Sequence, residues 1–333
     1  MTALRGMVPV WLCLASMAAA AESAEQWLLR MDYAISSISY RGTLLSMNTD
    51  RMDTLRIIHR IDEDGVRERI YALDGPPREV IRNRDQVRCL IAGQDSLIVN
   101  NPYPGRLLPR MPLDDILGPD SAYRLQAAGT GRVAGRDAHI FEIKPRDRYR
   151  YGRRLWLDAE TAMLLRSVLF DSGGRVVEHL SFVDIELDAK IGDDELEAGL
   201  ENPDQVASYR MADTARDKVL TGDSPSWLPE SLPSGFVLTS VGRGHAASGR
   251  GEEGPEAGEG FEHLVFSDGM ASFSIYVEPD PGAAIAEQVE SLGAMHIYTG
   301  NINGRMVTVV GEVPALTVRM VGRHLRRLKQ SSP

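Results

Sequence analysis

Along residues 23–37 the apolar positions recur at helical spacing. Trp27, Met31 and Ile35 fall at i, i+4 and i+8, with Leu28 beside them. Ser23 and Gln26 stand three apart just ahead of this run, which is the spacing of a capping box. Beyond Tyr40 the period drops to two. Leu55, Ile57, His59 and Ile61 alternate onto one face of a strand, Asp64-Gly65 is a hairpin turn, and residues 66–73 return as the partner strand. Further strands are expected at 79–83, 87–91, 123–127, 139–144, 154–158, 164–170 and 176–185, with Asp171-Ser172-Gly173-Gly174 turning the last two into a hairpin. Consecutive strands joined by hairpin turns, without crossover helices, predict an antiparallel sheet carrying helices on one face.

The texture changes near residue 200. Residues 202–226 are polar, lack strand alternation and end in Ser224-Pro225-Ser226, so they read as an interdomain linker, with a helical turn at 211–219. A second strand-rich unit follows at 227–328. Ala271, Phe273, Ile275 and Val277 face one way, and Ser272, Ser274, Tyr276 and Glu278 the other. Asp268-Gly269 joins this strand to 261–266, and Asn303-Gly304 joins 296–299 to 306–310. Helices are expected at 281–291 and at 316–328, the second with Val318, Val321, Leu325 and Leu328 along one stripe. Gly242-Arg243-Gly244 and Gly129-Thr130-Gly131 read as turns. Residues 242–260, rich in Gly and holding Glu252, Glu253, Glu256 and Glu259, read as a surface loop, and 329–333 as a short tail.

The first residues bear on compartment. Arg5, the apolar run at 7–20 and the small residues Ala19 and Ala21 have the form of a cleaved secretory leader, so residues 1–21 are expected to be a signal peptide and Glu22 to begin the exported chain. Cys89 is then the one cysteine left, and no intramolecular disulfide can form. Stability must come from packed cores, for which 43% apolar residues supply the material. The net charge is −10, and losing Arg5 makes the exported chain one charge more negative. That argues against nucleic acid as a partner.

Catalytic chemistry finds little footing. His59, His139, His179, His245, His263, His296 and His324 are scattered, and no pair has H-x-H or H-E-x-x-H spacing. Neither glycine triplet continues into a dinucleotide fingerprint, and no nucleophile elbow or phosphate loop is present. A binding protein is expected, not an enzyme, with no cofactor and no metal.

The most distinctive stretch is 131–167, GRVAGRDAHIFEIKPRDRYRYGRRLWLDAETAMLLRS. Between Asp147 and Arg154 it interleaves Arg with Tyr149 and Tyr151. Such an array can hold phosphate or carboxylate while stacking on rings. The alternative is internal, with Arg pairing to Asp147, Asp158 or Glu160 and bracing a sheet edge. This stretch resembles the RseB/MucB family of periplasmic sigma-E regulators. The resemblance extends to 75–82 (GPPREVIR), 267–278 (SDGMASFSIYVE) and 309–314 (VVGEVP), and so spans both domains; the acidic stretch at 242–260 has no counterpart in it.

The resemblance implies an α+β, strand-rich chain. Residues 22–201 would form a large antiparallel half-barrel related to the LolA/LolB lipoprotein carriers, with helices on its concave face. Residues 227–328 would form a smaller α/β sandwich-like domain that binds the partner. It further implies binding to the periplasmic domain of a single-span, RseA/MucA-like anti-sigma factor, protection of that factor from proteolysis, and release when lipopolysaccharide or another lipid is sensed. The alternative is a periplasmic lipid or lipoprotein carrier working alone. Self-association is left open.

A concave apolar sheet face must be covered by helices or by ligand. Leu44, Leu45, Met47, Met111, Leu113, Ile116 and Leu117 offer material for a cavity that accepts acyl chains, although such residues are more often ordinary core. Arg78, Arg82, Arg150 and Arg154 are candidate rim cations for a headgroup. Candidate partner-binding residues are Tyr149, Tyr151, Trp156, Val318, Val321, Leu325 and Arg326.

Overall fold

The computed structural model describes residues 22–49, 51–63, 65–83, 86–91, 96–99, 108, 116, 118, 121–200, 206–209, 224–244, 260–279, 282 and 286–328. The expected signal peptide, the helical turn at 211–219, the tail and most of the acidic stretch lie outside them.

Helix α1 (Ala24–Ser37) begins as its sequence dictates. Ser23 Oγ accepts from the Gln26 amide at 3.3 Å, and Gln26 Oε1 accepts from the Ser23 amide at 2.8 Å. The chain then runs through β1 (Tyr40–Asn48), β2 (Met52–Asp62), β3 (Gly65–Ala72), β4 (Arg78–Asn83), β5 (Gln86–Ile91) and β6 (Ser96–Val99). It resumes in β7 (Tyr123–Val133), β8 (Arg136–Pro145), β9 (Gly152–Asp158), β10 (Leu164–Phe170) and β11 (Val176–Leu187), with β12 (Val206–Tyr209) last. All twelve form one sheet in the order β12-β6-β5-β4-β3-β2-β1-β11-β10-β9-β8-β7, antiparallel except for β12 on β6. The sheet curls enough that β7 approaches β11 across three intervening strands, and Val133 shares a small apolar cluster with Ile185. Helix α1 lies on the inner face. Its buried Trp27, Leu28, Met31 and Ile35 pack with Leu44, Ile57, Phe141, Leu157 and Phe182 into the main core.

The second unit has its own core. Six antiparallel strands, β14 (Val237–Gly244), β15 (Phe261–Ser267), β16 (Ser272–Pro279), β17 (Gln288–Leu292), β18 (Met295–Ile302) and β19 (Arg305–Gly311), are ordered β14-β15-β16-β19-β18-β17. Helix α2 (Ala315–Arg323) covers one face, and a ribbon of β13 (Trp227–Pro229) with β20 (Leu325–Arg327) closes one end. Phe273, Ile275 and Val277 face inward, as their alternation requires.

Several local expectations are corrected. Gly129-Thr130-Gly131 is not a turn. It lies within β7, where the register to β8 slips between Ala127 and Thr130 and Gly129 takes φ +102°. The turn that joins β7 to β8 is Ala134-Gly135, both with positive φ, an alanine in a place that usually betrays itself by Asn or Asp. Gly242-Arg243-Gly244 closes β14. The helix expected at 281–291 is contradicted at its end, since residues 288–292 are strand, and the one expected at 316–328 stops at Arg323 so that 325–327 can pair with β13. Within the expected linker, 206–209 are strand.

Gly322 fixes the seat of α2. A Cβ there would lie 2.2 Å from Tyr298 Cδ1, a ring buried beneath the helix. Helix propensity alone makes Gly322→Ala stabilising by about 1 kcal/mol. Overpacking against the ring reverses the sign, and a net loss of about 1–2 kcal/mol is expected. The urea midpoint checks this; a rise would refute the contact.

Candidate functional site: an apolar hollow and a seam between the two units

Cross-strand partners share a face, so the registers Leu55↔Ala72, Ile70↔Val80 and Val80↔Cys89 place all five side chains on the face that carries α1. Beyond the helix these residues line an open hollow of ≈ 440 Å³, walled by Leu55, Ile70, Ala72, Val80 and Cys89. Arg78 and Arg82 belong to the same wall. Arg78 is paired with Asp53 at 2.5 Å. Arg82 sits opposite Glu68, whose other oxygen lies 3.0 Å from Nδ1 of His59, a ring stacked on Tyr40. These three side chains are nearly buried, so the hollow ends in a charged cluster. Burial raises the Cys89 thiol pKa, with Arg82 opposing.

The seam forms on other elements. Arg150, in the loop between β8 and β9, is fully buried and holds acceptors from both units. Nη2 donates to Asp147 Oδ2 at 3.0 Å and to the Ser234 carbonyl at 2.6 Å, while Nη1 donates to Asp268. The guanidinium lies over Phe236 at 4.8 Å and near the ring of Tyr123. Tyr123 belongs to the main core, yet its hydroxyl donates to Asp268 at 3.0 Å. Asp268 is itself fixed, because its other oxygen caps the β15–β16 turn by accepting from the Met270 and Ala271 amides. Met270 then packs against the large unit's core. Around this latch, Thr317 Oγ1 donates to the Tyr149 carbonyl at 2.6 Å, and the Tyr151 hydroxyl stands 3.3 Å from His296 Nδ1. Burial, with Glu312 and Asp171 nearby, pushes the Tyr151 phenol up to about 12.

Of the expected lipid-site residues, Arg78 and Arg82 do flank an apolar hollow. Leu44 and Ile116 do not line it; they are buried in the packed core. Leu45 alternates to the opposite face of β1, and Met47 is exposed at that strand's far end. Arg150 is no rim cation, being enclosed in the seam. Arg154 lies away from the hollow and pairs with Glu142 at 2.7 Å; burial works against that carboxylate, but Arg154 and Lys144 hold its pKa below the ordinary range. Met111, Leu113 and Leu117 lie outside the described residues.

Of the expected partner-binding residues, Val318, Val321 and Leu325 are not a surface: they form the second unit's core, where α2 needs an apolar stripe. Tyr149 and Tyr151 are taken up by the seam. Trp156 is half-buried beneath Arg166 at 5.2 Å, and Arg326 is exposed on β20. Internal pairing accounts for much of the Arg/Tyr array: Arg150 binds Asp147, Arg153 reaches Glu312 and Arg154 binds Glu142, whereas Asp158 and Glu160 are taken by Arg136, outside the array. What the alternation did not disclose is the far partner. Asp268 was legible as a turn residue, but a turn Asp with one oxygen to spare for another domain leaves no mark on spacing.

Comparison with known proteins follows this geometry. Residues 23–200 match the family model of the MucB/RseB N-terminal domain, and residues 221–326 that of the MucB/RseB C-terminal domain. The chain is 33% identical over 312 residues, 92% of each chain, to the sigma factor AlgU regulatory protein MucB of Pseudomonas aeruginosa. It is 23% identical over 309 residues to the sigma-E factor regulatory protein RseB of Escherichia coli K12, covering 93% of this chain and 92% of the other. Among solved structures, Pseudomonas aeruginosa MucB in the MucA/MucB complex superposes with a TM-score of 0.70 at 30% identity, over 92% of this chain and 99% of that one. A further crystal structure of MucB gives 0.59 at 29% identity, over 92% and 98%.

Proposed function

The chain belongs to the MucB/RseB family, and from that premise we propose that it is a periplasmic negative regulator of envelope-stress sigma-factor signalling. It binds the periplasmic domain of a single-span anti-sigma factor and shields that domain from the protease that begins its destruction. The observation that carries this reading is the likeness running through both units to a regulatory relative that has been solved with its partner MucA.

Lipid or lipopolysaccharide entering the hollow on the inner face of the large sheet is the release signal. The apolar wall of Leu55, Ile70, Val80 and Cys89 suits an acyl chain, and Arg78 and Arg82 suit an anionic headgroup. Release then follows from linkage. If lipid and anti-sigma factor favour different arrangements of the two units, each weakens the other by the same factor, commonly about 5–150-fold. A carrier working alone has no use for the second unit and its latch.

The test is capture of the anti-sigma periplasmic domain from the same cell by the exported chain, repeated with lipopolysaccharide. Retention that lipid abolishes is expected; no retention, or retention indifferent to lipid, refutes the regulatory reading. Cys89 gives an independent readout of the hollow. Saturating lipid should slow its alkylation at least about tenfold, since the thiol lies on the wall and must reach solvent to react. Alkylation should be followed well into the alkaline range, because burial raises the thiol pKa. A rate unchanged by lipid would place the ligand elsewhere.

A further inference from the structure

Three neighbouring strands of the large sheet carry a row of soft ligand atoms on the face away from α1. The registers His179↔Met47 and Met47↔Met52 set these side chains side by side across β11, β1 and β2. Directly opposed partners have Cβ atoms about 5 Å apart, so both flanking side chains can reach one point above Met47 on the middle strand. Met47 is 38% exposed and Met52 61%. Neither thioether is locked into a core, and an unbranched methionine turns easily toward a ligand.

His179 marks the point of convergence. Its Nε2 is buried and has no hydrogen-bond partner among the described residues. Its neighbours in the row are Val168 on one side and Met47 on the other. Val168 has nothing to offer a ring nitrogen, and Met47 has a thioether. Arg166 is already engaged, donating to Ser181 Oγ at 3.0 Å and lying over the Trp156 ring. Burial, with Arg166 adding to it, lowers the His179 pKa, so the imidazole is neutral at ordinary pH and keeps a lone pair for a metal. A buried polar atom without a partner is rare in folded proteins, and a bound ion is one of the things that account for it.

The ligand set decides the ion. Two thioethers and a neutral imidazole bring no negative charge and no oxygen, so they do not suit Ca(II) or Mg(II). They suit a soft cation of low charge, which among biological metals is Cu(I). A chain of net charge −10 opposes no cation at long range. Spacing between histidines, on which the expectation of no metal rests, cannot disclose ligands that meet across three strands.

We propose that His179, Met47 and Met52 form a binding site for a soft monovalent metal ion, Cu(I). The site lies on the outer face of the large sheet, and it stands independently of the anti-sigma reading.

The test uses the intact exported chain with Cys89→Ser, because its one thiol is a stronger soft ligand than any thioether. Ag(I), which has the same charge and softness and does not change oxidation state, is titrated in while the methionine methyl groups and histidine rings are followed by NMR. The Met47, Met52 and His179 signals are expected to move together and to saturate at one equivalent. No saturable shift, or shifts confined to other methionines and histidines, overturns the site, and this readout needs no substitution within it. Met47→Leu, Met52→Leu and His179→Gln should each weaken Ag(I) binding at least about tenfold, as loss of a metal ligand does. Met320→Leu, on α2 of the other unit, should leave it unchanged. Cu(I) competed against a chelator should follow the same order. Equal affinity in all four variants, or Zn(II) bound as tightly as Ag(I), overturns the proposal.

Discussion

Arg150→Ala is expected to cost the joined chain about 3–5 kcal/mol, because it removes a fully buried cation whose partners cannot follow it into water. Asp147 and Asp268 would be left facing each other across a void, with the Tyr123 hydroxyl and two turn amides as the remaining donors on Asp268 among the described residues. The ring contacts with Phe236 and Tyr123 are lost as well. The two cores stand on separate sheets, so the loss falls on their association. Urea unfolding should resolve into two transitions, and small-angle scattering should report a longer particle before either unit melts. The double change Arg150→Met with Asp268→Leu should recover much of the stability, since a buried pair replaced at both ends leaves no orphaned charge. A single-substitution effect below about 1 kcal/mol would mean that the latch is incidental to the docking.

Trp27→Ala should cost about 3–5 kcal/mol by the separate route of a core cavity. The indole is 8% exposed, lies against His139 and Phe141, and is covered by the Arg30 guanidinium at 4.4 Å. Its ring contacts pack α1 against β8. With α1 loosened, the inner face from Leu44 to Phe182 loses its cover, and a dye that fluoresces on apolar surfaces should bind before global unfolding. Leu29→Ala is the matched control. Leu29 is on the same helix but 56% exposed, so its removal should change stability by less than about 0.5 kcal/mol. Equal losses from the two substitutions would show that burial of the indole against β8 is not what holds α1 in place.

How much of this was legible in the sequence depended on whether the decisive contact was local. The capping box at Ser23, the hairpins at Asp171–Gly174 and Asn303-Gly304, and the inward side of β16 all follow from spacing, and all stand in the structure. The division into two strand-rich units followed for the same reason. Short segments at element ends were misread, because an apolar stripe at spacing four, such as Val321 and Leu325, is compatible with a helix that continues or with one that stops and pairs. β20 had to be found by its partner, β13. The site was harder still. By sequence Arg150 reads as a rim cation, since nothing local says that Asp268, 118 positions later, will enclose it. Of the residues expected to line an acyl-chain cavity, only Arg78 and Arg82 border this hollow; its other walls come from alternate residues of β2 to β5, which the same alternation marks as core.

The parallel pairing of β12 on β6 bears on where the molecule can be cut. Residues 96–99 read Ser-Leu-Ile-Val, a sequence with strong strand preference and no charge. In the intact chain one side of this strand pairs with β5 and the other with 206–209. Severing the polypeptide at residue 201, where composition places the end of the first domain, would strip that covering and leave an uncharged template for intermolecular sheet growth. A fragment ending past Tyr209 keeps its insurance against aggregation, so solubility of the isolated first half should hinge on those few residues.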